Sequence, residues 1–417
     1  MREMKDSGVA WIGAIPTTWH TQKMKYISNF IQNKYSSDYG LLPYIGLENI
    51  ASWSGSFIST NSQYDREQSL ICEPEDILFG KLRPYLAKVY MNDRLCCCSN
   101  EFAVIRVNGQ NKRYMWYQLL SHGFIFEIDR STYGTKMPRA NAEFIRNVFV
   151  ALPSEIEQQK IANYLDKTCA EIDAVLEKTR ASIEEYKKLK QAVITQAVTK
   201  GVRGDRPMKD SGIEWIGNIP AEWEIKRVKN ICSLKTGSTP STGNAEWFNG
   251  DLLWFTPGDF NEKFVLSSSN RTLSRTAEKD GVATIIPANS VLVVCIGGTA
   301  GKVGYTNYGC SCNQQITALC KSNIMPKLLM YDVNAGMPFL RNTTMFTTLP
   351  ILNNQAIGDL VLPIPREEEQ LSIIEYLDEK CAGIDALIAK KQQYLTEIEN
   401  YKKSLIYEYV TGKKEVV

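Results

Sequence analysis

The most regular pattern of apolar positions lies in residues 155–200, EIEQQKIANYLDKTCAEIDAVLEKTRASIEEYKKLKQAVITQAVTK. Apolar or small residues recur at Ile172, Leu176, Thr179, Ile183, Tyr186, Val193 and Ala197, with Lys190 in the one seat that breaks the series. The steps alternate between four and three, which is a heptad period. The segment has no Pro or Gly and is rich in Ala, Leu, Glu, Lys and Gln, so it predicts one helix, about 69 Å long at about 1.5 Å per residue. A lone helix cannot bury such a stripe and needs a partner of equal length. Adding 212 to each number gives Ile384, Ile388, Lys391, Leu395, Ile398, Leu405 and Tyr409, again with Lys402 in the odd seat. Ile172, Leu176, Ile183 and Val193 are therefore expected to face Ile384, Ile388, Leu395 and Leu405 in reversed order, as an antiparallel coiled coil. Gly383 predicts a local bend near the start of the second helix.

A second repeat precedes the helices. MKDSGVAWIGAIPTTW at 4–19 returns as MKDSGIEWIGNIPAEW at 208–223, with 11 of 16 positions identical. Its glycines, Pro16 and Trp11, Ile12, Ile15 and Trp19 describe a turn-rich clamp whose aromatics dock on a neighbouring surface, such as a helix bundle. Each half thus reads as a leading motif, a middle and a long helix, while the two middles do not resemble each other. The expected parts are 1–150, a first recognition domain with its leading motif; 151–204, a central long helix; 205–361, a second such domain; and 362–417, a distal long helix. The fold class is α+β: two mixed domains separated by two long antiparallel helices, with internal duplication and pseudo-twofold symmetry.

In the first middle, strand composition occurs at 43–47, 76–79, 87–90 and 102–105, and 112–126 has helical spacing. Two loops concentrate chemistry. Residues 80–88 set Lys81, Arg83, Tyr85 and Lys88 around Pro84, and residues 133–141 add Lys136, Arg139 and Asn141. Lys and Arg neutralise phosphates, while Arg and Asn make bidentate contacts to guanine and adenine edges. A solvated surface loop fits the same residues equally. In the second middle, strands are expected at 252–255, 284–286, 291–296 and 315–319. The turn carrying Thr236, Gly237, Ser238 and Thr239 suits backbone phosphate contact or is a plain polar turn. Asn313, Gln314 and Gln315 suit an adenine edge or a strand-end polar cluster. The run Gly297, Gly298, Thr299, Ala300, Gly301, Lys302 fails as a nucleotide loop, because its spacing is one residue short and Val303 stands where Ser or Thr would hold magnesium. It reads instead as a glycine-rich hairpin bringing Lys302 near a ligand.

Composition narrows the classes. A net charge of +2 excludes histone-like binding by global charge and leaves local basic patches. No apolar run suggests a membrane span, and the first residues lack a signal-peptide pattern. Eleven cysteines then fit a reducing cytoplasm. Cys96, Cys97 and Cys98, with Cys310 and Cys312, lack CxxC spacing, and His20 and His122 are the only histidines, so buried thiols in strands are favoured over zinc. The amino-methyltransferase motif, the nucleophile elbow and the zincin motif are absent. Glu75, Asp76 and Lys81 miss nuclease spacing. The sequence gives no support for an enzyme or for a cofactor held by this chain.

The layout resembles the DNA-specificity subunit of type I restriction-modification systems along essentially the whole chain. The resemblance is carried by the paired G-x-I-P-x-x-W motifs at 13–19 and 217–223, and by the helix starts LPSEIEQQKIANYLD and LPIPREEEQLSIIEYLD. The helix ends AVTKG and YVTGK complete it, with DILFGKLRPYLAKV, CSNEFAVIR, LKTGSTP and GGTAGKVGYTNYGCSCNQQI in the middles. The resemblance implies two target-recognition domains, each reading one half of a split double-stranded DNA site, and helices that act as a ruler between them. It implies no catalysis by this chain. It further implies two S-adenosylmethionine-dependent adenine methyltransferase subunits and two ATP-driven restriction subunits as partners, which would hold the S-adenosylmethionine, ATP and Mg. A coiled-coil scaffold that does not read DNA, and a nuclease with an unrecognised site, are the competing classes.

Overall fold

The computed structural model describes the chain except residues 1, 61–65, 67, 135, 262–263, 344–350 and 417. It forms two compact units, Met1–Ala181 with Gln392–Val417, and Ser182–Lys391, so each unit contains part of both long helices. The first long helix is Glu155–Lys200 and the second Glu367–Val410; the second runs unbroken through Gly383. Ser154 accepts from the Glu157 amide at 3.4 Å and opens the first helix. Gly201 (φ +74) closes it, and Gly412 (φ +72) closes the second. A side chain at Gly412 would place its Cβ 2.4 Å from Pro16, so the leading motif needs glycine there.

In the first unit, Ser28–Ile31, Phe102–Val107, Ile77–Gly80 and Val89–Met91 form an antiparallel sheet in that spatial order. A smaller sheet sets Cys96–Cys98 between Tyr44–Ile45 and Leu70–Cys72. In the second unit, Ser233–Thr236, Ile316–Cys320, Ser290–Val294 and Val303–Thr306 take the same order and the same antiparallel register pattern. Its smaller sheet sets Phe248–Phe255 between Arg271–Leu273 and Cys310–Cys312. The four-stranded sheets of the dissimilar middles therefore share one topology, while the smaller sheets differ, with Cys96–Cys98 central in the first and Cys310–Cys312 at an edge of the second. The expected strand at 284–286 reduces to a single bridge between Ile286 and Cys310. The expected helix over 112–126 is two helices, Lys112–Leu120 and His122–Arg130. Extended Ser121 separates them: its hydroxyl donates to Gln118 O at 2.6 Å and accepts from Phe124 N.

The leading motif is a hairpin pairing Met4–Asp6 with Ala14–Pro16 in one unit and Met208–Asp210 with Asn218–Pro220 in the other. Trp19 donates to Glu157 at 3.0 Å, and Trp223 to Glu369 at 2.9 Å. The clamp thus locks each hairpin to the first turn of a long helix. In the first unit, Trp11, Ile15 and Trp19 share one core with Ile161, Leu165 and Cys169 of the first helix and Leu405, Ile406 and Val410 of the second.

Within each unit the heptad stripe meets its partner. Leu176, Leu395 and Leu405 are buried in the first unit and Ile183 and Ile384 in the second, while Ile172, Val193 and Ile388 are half-buried. The two odd lysines have one explanation. Lys402 Nζ lies 2.6 and 2.7 Å from the Asp173 carboxylate oxygens, and Lys190 Nζ lies 2.7 and 2.8 Å from those of Asp385. Asp385 is Asp173 plus 212, as Lys402 is Lys190 plus 212, so each unit holds the same bond with the helices' roles exchanged. A lysine in a seam seat is tolerated because its stem packs along the seam while its head reaches an aspartate of the facing helix.

Candidate nucleic-acid interface

The two loops of the first middle lie side by side. The Arg83 N–H donates to Pro138 O at 2.7 Å, the Ala140 N–H donates to Lys81 O at 2.9 Å, and Leu82 bridges Arg139. Arg83 (φ +50) and Ala87 (φ +47) flank the short turn Pro84–Leu86 in the left-handed region. Such residues each cost about 1–3 kcal/mol and persist where surrounding structure holds them. The result is a fixed, projecting turn.

Arg83 and Lys136 are exposed and have no side-chain partner among the described residues. Arg139 is bound to Glu101. Lys81 is half-buried, and burial pushes its ammonium below the ordinary lysine value, against the attraction of Glu101 and reinforced by Arg139. Glu101, which spacing did not single out, therefore collects Lys81 and Arg139 on one edge. Tyr85 is exposed and lines a neighbouring groove with His122, Phe126 and Asp129. Lys88 donates to Leu47 O at 2.6 Å, and Asn141 accepts from Glu143 N at 2.8 Å to cap the helix Ala142–Asn147. These two side chains carry local structural bonds in the free protein.

The second middle brings together three segments. The Ser238 N–H donates to Cys312 O at 2.8 Å, and a Cβ on Gly237 would lie 2.2 Å from that same oxygen. Only glycine allows this approach. Thr239 is bound to Gln314, Asn313 donates to Gln315 at 3.0 Å, and Thr236 accepts from Asn354 at 2.8 Å. Ser238 is tied inward to Val282 O and Thr284 N. The glycine run 297–302 is the turn joining Ser290–Val294 to Val303–Thr306, a hairpin and not the strand-to-helix turn of a nucleotide loop. Its Lys302 is exposed and donates to Phe260 O at 3.0 Å. A Cβ on Gly301 would lie 2.9 Å from Arg341 Cδ, so exposed Arg341, at the end of the helix Pro326–Thr343, adjoins this turn. Sequence spacing could not connect it, since 40 residues separate the two.

The first edge thus offers cations on a rigid turn, and the second offers amides and hydroxyls with Lys302 and Arg341 beside them. These are groups for gripping phosphates and reading base edges. All eleven cysteines are buried and reduced, and burial pushes Cys169 and Cys381 up to about 11 and Cys232 and Cys310 up to about 12. Among the described residues no group of three or more His, Cys, Asp or Glu side chains is placed to hold a metal ion. No described helix is long and apolar enough to cross a membrane.

Comparison with known proteins identifies the kind of domain in each half. The model of the type I restriction modification DNA specificity domain matches twice, at residues 16–185 and 220–399. The MjaIX specificity subunit of Methanocaldococcus jannaschii is 27% identical over 177 residues, which are 39% of this chain and 40% of that relative. The chain thus aligns with two fifths of that relative's length. The MjaVIII specificity subunit of the same organism is 25% identical over 343 residues, 75% of this chain and 73% of the relative. A chain solved in a study of complex assembly and conformational transition of a type I R-M system superposes with a TM-score of 0.74 at 17% identity, over 96% of this chain and 99% of that one, a likeness of fold. With both halves matched by the same specificity domain, the chain belongs to the type I restriction-modification DNA specificity family and is a non-catalytic DNA-recognition subunit.

Proposed function

We propose that residues 1–150 and 205–361 are two target-recognition domains that each read one half of a split double-stranded DNA site, and that 151–204 and 362–417 are the helices that set the gap between the half-sites. The observation that carries this reading is the convergence, within each unit, of loops distant in sequence onto one polar edge. Lys81, Arg83, Lys136 and Arg139 meet on the first. Thr236, Thr239, Lys302, Asn313, Gln314 and Gln315 gather on the second. Arg83 and Lys136 are the leading phosphate or guanine contacts of the first half-site, since their donors are unspent. Tyr85 adds an aromatic face beside them. Lys88, Asn141 and Ser238 contribute by fixing the loops, or contact DNA after exchanging their present bonds. Arg341 joins the second half-site.

The chain assembles with other subunits of its system: two modification subunits, which supply S-adenosylmethionine-dependent adenine methylation, and two restriction subunits, which use ATP and Mg. Linking two short readers on one support raises affinity through effective concentration and makes the spacing part of the recognised sequence.

The test is methylome sequencing of cells expressing this chain with its modification subunit. One split motif is expected, and exchanging residues 20–150 for another domain should change one half of it alone. A contiguous motif, or a change in both halves, refutes the reading. Absence of any sequence-dependent binding, with the modification subunit present, would favour the scaffold class.

A further inference from the structure

One cation of the second unit is held by rings instead of by a carboxylate. The strands Phe248–Phe255 and Arg271–Leu273 pair antiparallel, with Trp254 opposite Arg271. The Arg271 guanidinium carbon lies 4.9 Å from the centre of the Phe248 ring and 5.2 Å from that of Trp254. Those two rings stand 74° to each other with centroids 6.4 Å apart, so the guanidinium sits in an aromatic corner. Trp254 is buried and Phe248 half-buried, while Arg271 is exposed. No hydrogen bond or ion pair reaches the Arg271 side chain among the described residues. Arg113 of the first unit also lies over two rings, those of Trp116 and Tyr117, but it donates to Asp166 at 2.6 Å. Arg271 has the same aromatic support with its donors unspent. The corner is joined to the polar edge of this unit: the Trp254 indole donates to Ser238 O at 3.2 Å, in the turn whose Thr239 is bound to Gln314.

We propose that Arg271 is a specificity-determining residue that reads a guanine edge in the second half-site. Two rings attract the cation and restrict its plane before DNA arrives, so little side-chain freedom is lost on contact. A planar fork held in one orientation matches the paired O6 and N7 acceptors of guanine. A phosphate accepts from many directions and needs no such corner. The Arg271 stem also covers the edge of a small core of Trp254, Leu273, Ala277 and Ala283, but an apolar stem alone would do that, and it leaves the free donors without a purpose. The inference rests on the reading of residues 205–361 as a target-recognition domain.

The test compares wild type, Arg271→Met and Arg271→Lys as full chains with the modification subunit of their system. Methylome sequencing gives the motif, and competition gel shifts use duplexes changed at one base pair at a time in the half that exchange of residues 20–150 leaves intact. Methionine keeps an apolar stem over the core, and lysine keeps the charge without the fork. The wild type should require a G·C pair at one position of that half. Both variants should accept other pairs there, with discrimination reduced about tenfold or more, while the other half of the motif and the melting temperature stay unchanged. An unchanged motif in both variants overturns the proposal: uniformly weaker binding by Arg271→Met, restored in Arg271→Lys, marks a phosphate grip, and a lower melting temperature marks a core cover. A wild-type half-site without any G·C pair overturns it as well. If the wild type gives no split motif, the two-domain reading itself falls, and the role of Arg271 with it.

Discussion

Asp173→Ala tests why lysine is admitted to a coiled-coil seam. Lys402 is 7% exposed, and its two hydrogen bonds, at 2.6 and 2.7 Å, both go to Asp173. The Asp173 side chain is 48% exposed, so water screens the pair from one side. The cost must lie above the ~0.2–1 kcal/mol of an exposed pair. It must lie below the ~3–5 kcal/mol for breaking a fully buried one. We expect about 2 kcal/mol, because the variant leaves an ammonium in the seam with water on one flank only. Replacing both partners, Asp173→Ala with Lys402→Met, removes the charge as well as its partner and should return stability to within about 1 kcal/mol of wild type. The coupling energy of the double-mutant cycle would then be about 1–2 kcal/mol. Urea unfolding followed by far-UV circular dichroism, with equal slopes for all four proteins, gives the four free energies. A single-mutant cost below about 0.5 kcal/mol, or a double mutant no better than Asp173→Ala, would refute the reasoning. Asp385→Ala should repeat the result through Lys190.

Three further outcomes follow from single sites. Asp332 is wholly buried with both carboxylate oxygens unpartnered among the described residues, and burial pushes its carboxyl well above the usual range. Wild-type stability should therefore fall as pH rises above the unfolded carboxylate value of about 4, and Asp332→Asn should stabilise by about 1–3 kcal/mol at pH 7 with the gain vanishing near pH 3, read as melting temperature against pH. Gly237→Ala should destabilise the second unit by about 1–3 kcal/mol and impair methylation of one half-site, since its Cβ meets Cys312 O; an unchanged denaturation midpoint contradicts this. Arg83→Ala should cost about 1–3 kcal/mol of DNA affinity and relax one position of one half-site if it reads a base, or lower the salt slope by about 1 if it grips phosphate; gel-shift titration at several salt concentrations separates the two, and unchanged binding removes Arg83 from the interface.

The sequence by itself determined the parts whose signals are local and periodic. The first helix was legible to its end residues because heptad spacing, helix-forming composition and flanking Ser154 and Gly201 all act within a few residues of one another. The duplication was legible because Trp19 and Trp223 must meet equivalent glutamates, Glu157 and Glu369, to lock each hairpin. The loops at 80–88, 133–141, 234–240 and 313–315 were legible as chemistry, through their cations, hydroxyls and amides, but not as sites. Tertiary structure alone decided that they converge in pairs, that the four-stranded sheets of unlike middles share one strand order, and that Glu101 and Arg341 adjoin them. It also decided that Lys88, Asn141 and Ser238 are committed to local bonds, and that Lys190 and Lys402 are seam residues answered by Asp385 and Asp173. The reason is physical. Periodicity and capping are set by neighbours along the chain, whereas the partner of a buried lysine or a strained turn is chosen by backbone tens to hundreds of residues away. Local propensity carries no information about that choice.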